Sequence, residues 1–224
     1  MIEVLKPFYN AVLMPAARIF ARAKISPNVI TFLGLCLSAI AGWFAATGRW
    51  NLAAVFIIIG SCMDGLDGLM ARMHNQKTVF GAIFDSTADR LTEIFWLLGI
   101  FIFFVRHPVW GAMPLFCAFL AITGSLMVSY VRARCEGAGV PCTSGILQRP
   151  ERIVVIGLCF FGGPKIMQWG LALISVLAYA TVVQRMIIAY SSSKKHSIPD
   201  RSLSEAKVSK HKQPFPSASL REQG

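Results

Sequence analysis

Apolar residues run almost without interruption through six stretches of this chain, at roughly 28–47, 52–73, 80–105, 110–132, 151–166 and 168–190. Several reach the ~20 residues a helix needs to cross ~30 Å of hydrocarbon. The fifth is short, and its turn falls at Gly162-Gly163-Pro164. These runs are continuous, whereas membrane strands alternate over ~10 residues, so a β-barrel is excluded. The pattern predicts an all-α polytopic membrane protein with six transmembrane helices. Residues 1–27 precede them, mixing apolar positions with Lys6, Arg18, Arg22 and Lys24, which suits a helix lying in the membrane interface. Ser26-Pro27-Asn28 is a helix-start signal, because proline disfavours a helix running through from before it. From Ser191 the chain turns to Ser, Lys, Pro and Gln, so 191–224 reads as a basic disordered tail able to touch anionic headgroups. The three parts are 1–27, the membrane domain 28–190, and the tail 191–224.

Composition agrees with this division. The 224 residues are 55% hydrophobic and 15% charged, against about 25% charged in an ordinary soluble domain. A soluble helical domain with an oversized core is the weaker alternative. A net charge of +11 could signal nucleic-acid binding, but its distribution points to a membrane. With both ends cytoplasmic, the inner segments carry eighteen Lys and Arg, whereas the outer loops carry only Arg49, Arg106 and Lys165. That asymmetry is the positive-inside pattern and predicts an inner-membrane protein with cytoplasmic termini and no nucleic-acid partner. No short apolar core with a small-residue cleavage site opens the chain, so no removable signal peptide is expected. Cys36, Cys62, Cys117, Cys135, Cys142 and Cys159 lack zinc-site spacing and read as packing residues.

The polar residues within the apolar runs carry the chemistry. Of only 11 acidic residues, four fall in two adjacent runs: Asp64 and Asp67, then Asp85 and Asp89. A carboxylate at membrane depth is costly unless it faces a cavity, a cation or a counter-charge. Spacings of three and four put each pair on one helix face. The short link His74-Asn75-Gln76-Lys77 makes the two helices antiparallel, so the pairs can converge. Four carboxylates in one pocket repel, and all-oxygen ligation relieves this with a hard cation such as Mg²⁺ or Mn²⁺. Gly65, Gly68, Ala71, Gly81, Ala82 and Ala88 surround the acids. Some permit close helix packing, but Gly68 and Ala71 also leave space beside the metal, and Arg72 offers a charge to a phosphate. Pairing with arginines alone would use Arg72 and Arg90 and leave two acids unmatched. A cation channel or proton-coupled transporter also uses membrane acids, yet leaves the small residues and gathered arginines unexplained.

Asp64, Asp67-Gly68, Ala71-Arg72, Gly81, Asp85 and Asp89 occupy eight fixed positions over 26 residues. This spacing resembles the complete signature of the CDP-alcohol phosphotransferases, and no motif position departs from it. The resemblance covers roughly residues 20–190. It implies a six-helix membrane enzyme that transfers a phosphatidyl-type group from a CDP-linked lipid to an alcohol and releases CMP. It implies metal binding by Asp64, Asp67 and Asp85, with Asp89 sharing the site or acting as general base. Gly68, Ala71, Arg72 and Gly81 would form the nucleotide pocket, with Pro27 and Thr31 beside it. The family also implies a homodimer.

A second basic cluster bears on the acceptor: Ser129, Arg132 and Arg134, then Arg149 and Arg152, and Arg185 within apolar sequence. Positive-inside topology accounts for single arginines, but the set together points to a doubly charged phosphate. These segments resemble the phosphatidylinositol phosphate synthase branch, with Arg132 standing where that branch has lysine. The resemblance implies CDP-diacylglycerol as donor and inositol phosphate as acceptor. The alternatives are glycerol 3-phosphate, as in phosphatidylglycerophosphate synthesis, and an ether-lipid donor with inositol phosphate, as in archaetidylinositol phosphate synthesis.

Overall fold

Pro27 opens the first long helix because its missing N–H is one the first turn leaves unbonded anyway, and Ser26 before it is extended (φ −67°, ψ 140°). The computed structural model describes residues 6–23, 25–73, 78–142 and 144–193, without the side chains of 6–11, 71, 72 and 193. Seven α-helices account for most of them: α1 (Lys6–Arg22), α2 (Pro27–Ala46), α3 (Trp50–Met73), α4 (Val79–Arg106), α5 (Met113–Gly137), α6 (Arg149–Phe161) and α7 (Gly163–Ser193). A single 3-10 turn at Pro108–Trp110 precedes α5, and no strand occurs among the described residues.

Four helices, α2, α3, α5 and α7, are long and apolar enough to cross a membrane. The other two expected spans fall short of that length and apolarity for separate reasons. α4 is 28 residues long but carries Asp85, Asp89, Arg90 and Glu93 among its first 15. α6 has only 13 residues, or about 20 Å at 1.5 Å per residue. It stops at Phe161, not at 166, because Gly163 adopts φ 69° and Pro164 starts a new helix at once. At the other end, α7 runs to Ser193, three residues past the expected start of the tail. The rest of the tail, 194–224, and the link 74–77 lie outside the described residues.

α2 packs against both α3 and α4, α5 against α7 and α4, α6 against α7 and α3, and α1 against α3. The shared core holds Ala41, Ala45, Ile57, Trp96, Ile100, Phe104, Ile156, Phe160 and Leu171. Large apolar side chains such as Phe32, Trp43, Ile58, Phe116, Val176 and Ile187 point outward, as helices solvated by lipid require. α2 and α4 touch backbone to backbone. A Cβ on Gly99 would lie 2.1 Å from the Gly42 carbonyl oxygen, and one on Gly42 would lie 2.3 Å from that of Phe95. Close approach through small residues is how membrane helices gain packing energy when lipid is as apolar as their side chains.

All six cysteines are free, and Cys142 is fully buried in the segment between α5 and α6. Burial, reinforced by a hydrogen bond with Cys135, pushes its thiol up to about 11, so it stays neutral near pH 8 and resists alkylation. Mass-spectrometric mapping after maleimide treatment at pH 8 should find Cys142 modified only once the protein is denatured. Gly99→Ala should destabilise the protein by about 1–3 kcal/mol through overpacking, read as a lowered melting temperature in detergent. An unchanged melting temperature would mean that α2 and α4 are not held this closely.

Candidate active site

The end of α3 and the start of α4 bring three acidic side chains to one place. Asp64 and Asp67 near the end of α3 and Asp85 in the first turns of α4 each offer an oxygen within 4.8 Å of the others. Two further elements fix Asp67, which is buried. The Thr31 hydroxyl on α2 donates to it at 2.5 Å, and the Gly68 backbone N–H also donates to it. Thr31 lies one turn after Pro27 and also reaches the Pro27 carbonyl at 3.2 Å. The helix-start signal at Pro27 therefore sets the height at which Thr31 meets the acid. At the start of α4, the Thr78 hydroxyl accepts from the Gly81 N–H at 2.9 Å, capping the helix that carries Asp85.

The fourth aspartate is placed differently. Asp89 lies one turn beyond Asp85 and pairs with Arg149 of α6, Oδ1 to Nη1 at 2.7 Å. The same Nη1 lies 3.0 Å from Asp64 Oδ2, so one guanidinium nitrogen bridges two carboxylates. Arg149 Nη2 reaches Thr92 only at 3.5 Å, and its Nε is buried without a hydrogen-bond partner among the described residues. Beside them a narrow crevice of about 10 Å³, lined by Thr31, Ser38, Asp64, Thr92, Trp96 and Arg149, has room for about one water. The buried Trp96 Nε1 also has no partner among the described residues. A larger cavity of about 330 Å³ lies at the opposite helix ends, around Arg49 and Phe160.

The small residues divide by role. A Cβ on Gly68 would meet nothing within 4 Å, so close packing does not explain that glycine. One on Gly81 would meet Thr78 Oγ1 at 2.9 Å and Asn28 Oδ1 at 3.3 Å, so this glycine lets the starts of α2 and α4 approach. The side chains of Ala71 and Arg72 are outside the described residues.

The expected acceptor residues do not all stand open. Arg152 is 1% exposed and forms a two-pronged ion pair with Glu93, at 2.6 and 2.9 Å. Arg185 is buried and donates to the Ser144 carbonyl at 3.1 Å and the Val128 carbonyl at 2.5 Å. With Thr181 and Gln184, which accept from the Leu147 and Ile146 N–H groups, it stitches the segment 144–148 onto α7. Arg132 pairs with Glu136 at the surface at 2.8 Å, Arg134 is exposed, and Ser129 is half-buried. Arg132 and Arg152 both act electrostatically on Arg185, so these three cations are neighbours.

Glu93 and Thr92 are the functional-site residues that the sequence reading missed. Asp85, Asp89 and Glu93 recur every four residues and so share one face of α4. Arg149 and Arg152, three apart on α6, face them. Extending the count of acids by one more turn of α4 would have found Glu93.

The sequence profile of the CDP-alcohol phosphatidyltransferases matches residues 24–192, a span that includes every contact just described. The chain belongs to this family. It is 33% identical over 177 residues to the archaetidylinositol phosphate synthase of Methanothermobacter thermautotrophicus, covering 77% of this chain and 87% of that one. It is 32% identical over 189 residues to the phosphatidylinositol phosphate synthase of Corynebacterium glutamicum, covering 82% and 86%. The crystal structure of Mycobacterium tuberculosis phosphatidylinositol phosphate synthase with CDP-DAG bound superimposes with a TM-score of 0.72 at 26% identity, over 79% of this chain and 92% of that one. The same enzyme with manganese and citrate gives 0.72 at 27% identity, over 79% and 88%. The protein is thus an integral membrane CDP-alcohol phosphatidyltransferase. Its three converging carboxylates are an oxygen-only donor set that fits a divalent hard cation.

Removing one side of the Glu93–Arg152 pair separates a structural role from an acceptor-binding one. Arg152→Ala leaves Glu93 buried and unpaired, with an expected cost of about 3–5 kcal/mol, measured by unfolding in detergent. Combining it with Glu93→Leu should recover most of that loss. If the double variant is no more stable than Arg152→Ala, the pair is not what fixes α6 to α4.

Proposed function

We propose that this enzyme transfers the phosphatidyl-type group of CDP-diacylglycerol to inositol phosphate, releasing CMP on the cytoplasmic side of the inner membrane. The convergence of Asp64, Asp67 and Asp85 within 4.8 Å, with Asp89 one turn along, is the observation that carries the reading. The names and substrates of the aligned relatives support inositol phosphate over glycerol 3-phosphate. They leave both ester and ether donors in play, since relatives of both kinds align over most of the chain. In this reading α2–α7 all cross the membrane, α1 lies in the interface, and both termini are cytoplasmic, supported by the lysine and arginine distribution. Family resemblance alone supports a homodimer.

Asp64, Asp67 and Asp85 would hold Mg²⁺ or Mn²⁺, which when bound neutralises pyrophosphate charge and stabilises charge on the leaving group. Thr31 and the Gly68 N–H orient Asp67, and the open space at Gly68 admits the nucleotide near Pro27, Ala71, Arg72 and Gly81. Asp89 accepts the proton of the acceptor hydroxyl as that oxygen attacks the lipid-bearing phosphorus. The bond from phosphorus to the CMP oxygen breaks, and CMP departs with the electron pair. Ser129, Arg132, Arg134 and Arg149 form the acceptor-phosphate side, with Arg152 and Arg185 supplying positive potential from behind. The ends of α3 and α6, where these groups meet, lie at the level where acyl chains can stay in lipid while CMP leaves to water.

Purified protein given labelled CDP-diacylglycerol and Mn²⁺ should release CMP fastest with inositol phosphate, more slowly or not at all with glycerol 3-phosphate or serine. Preference for glycerol 3-phosphate would overturn the acceptor assignment, and ion flux without CMP release would favour a channel. Asp89→Asn should lower turnover by about 10²–10⁴-fold while CDP-lipid binding persists. Arg134→Ala should raise the acceptor KM more than the donor KM. Equal rises would count against a separate acceptor-phosphate pocket.

A further inference from the structure

One guanidinium nitrogen of Arg149 stands between Asp64 and Asp89, the residue read above as the general base. Arg149 Nη1 lies 2.7 Å from Asp89 Oδ1 and 3.0 Å from Asp64 Oδ2. Its remaining donors are poorly used: Nη2 meets Thr92 only at 3.5 Å, and Nε is buried with no partner among the described residues. A phosphate binds a guanidinium best through two parallel N–H bonds on one edge. One such edge contains the buried Nε, and the other contains Nη1, which two carboxylates already hold, so the guanidinium must move to present either. Swinging takes Nη1 off Asp89.

We propose that Arg149 is an acceptor-sensing positioning residue. It covers Asp89 until the phosphate of the acceptor draws it away, so that transfer proceeds and attack by water on the CDP-lipid does not. The chemistry of its ligand is a phosphate dianion carried on a polyol. This inference rests on the transferase reading above. The exchange also has an energetic basis: of the two carboxylates beside Nη1 only Asp64 accepts a hydrogen bond from it, whereas a dianionic phosphate offers two parallel charge-assisted bonds. Glu93, the third acid on that face of α4, is held by Arg152 through both its oxygens.

The test splits the acceptor into two pieces. Wild-type protein with CDP-diacylglycerol and Mn²⁺ is given inositol, the phosphite dianion, or both, and CMP and lipid products are measured. Inositol phosphate serves as the control that the transferase reading itself holds. Phosphite should stimulate transfer to free inositol at least about tenfold, equivalent to about 1.4 kcal/mol. In Arg149→Gln that stimulation should vanish, and the ratio of water attack to transfer should rise by about tenfold or more. Arg149→Lys, which keeps the charge without the fork, should lose the stimulation while retaining more transfer than Arg149→Gln. CDP-lipid binding by each variant reports that it is folded. If inositol phosphate is a good acceptor but phosphite has no effect, or if Arg149→Gln loses transfer and water attack in equal proportion, Arg149 is only an ordinary phosphate ligand. If inositol phosphate itself fails in the wild type, the transferase reading falls first.

Discussion

Negative charge concentrated inside an apolar helical bundle is the constraint around which this protein is arranged. Two carboxylates 4.8 Å apart repel by about 3–4 kcal/mol at an effective dielectric near 20, and the site has several such pairs. That exceeds what most single contacts contribute, so it must be offset locally. Three offsets are visible. A threonine hydroxyl and a backbone N–H bond Asp67, Arg149 bridges Asp64 and Asp89, and the oxygen donor set fits a divalent cation. The first two orient the acids, and a divalent cation held by the donor set would neutralise them.

The small residues of the site show why the offsets need particular backbone geometry. Gly42 and Gly99 let α2 and α4 meet at backbone distance, and Gly34 and Gly60 bring α2 close to α3, where Thr31 meets Asp67. Gly81 does the same where α4 starts, beside Asn28. Gly68 is different, because nothing stands where its side chain would be. In a membrane helix a glycine usually signals close packing, and here only one of these positions departs from that rule. It is the one next to a metal-site aspartate.

Much of this was legible in the sequence because hydrophobic runs, proline at a helix start and fixed acid spacings all act locally. The existence of α2, α3, α5 and α7 followed from run length alone. The end of α6 did not, since a glycine at φ 69° followed by proline breaks a run whose residues remain apolar on both sides. Convergence of Asp64, Asp67 and Asp85 was readable from spacing and a short link. The partners of the arginines were not, because they depend on which helix faces which. Arg149 and Arg152 looked like two equivalent cations for a phosphate. The structure gives the first a contact shared between two carboxylates and the second a closed, buried one with Glu93. An acid at the next turn of α4 was the available clue, and its meaning depended on α6 packing alongside.

The difference between those two arginines explains how one short helix can serve both stability and chemistry. α6 begins at the level of the acids, and the N-terminal end of a helix carries partial positive charge. Its first turn therefore adds to the field of Arg149 and Arg152 against the acidic face of α4. If both arginines were free, nothing would hold that turn in register against α4. If both were buried, no cation would remain to answer an incoming phosphate. Glu93 fixes Arg152 with two bonds and so supplies the anchored half of the arrangement. Arg149, one turn nearer the acids, is left with an unfilled donor and a long contact to Thr92. An anchored cation three residues along steadies the turn from which Arg149 reaches both Asp64 and Asp89.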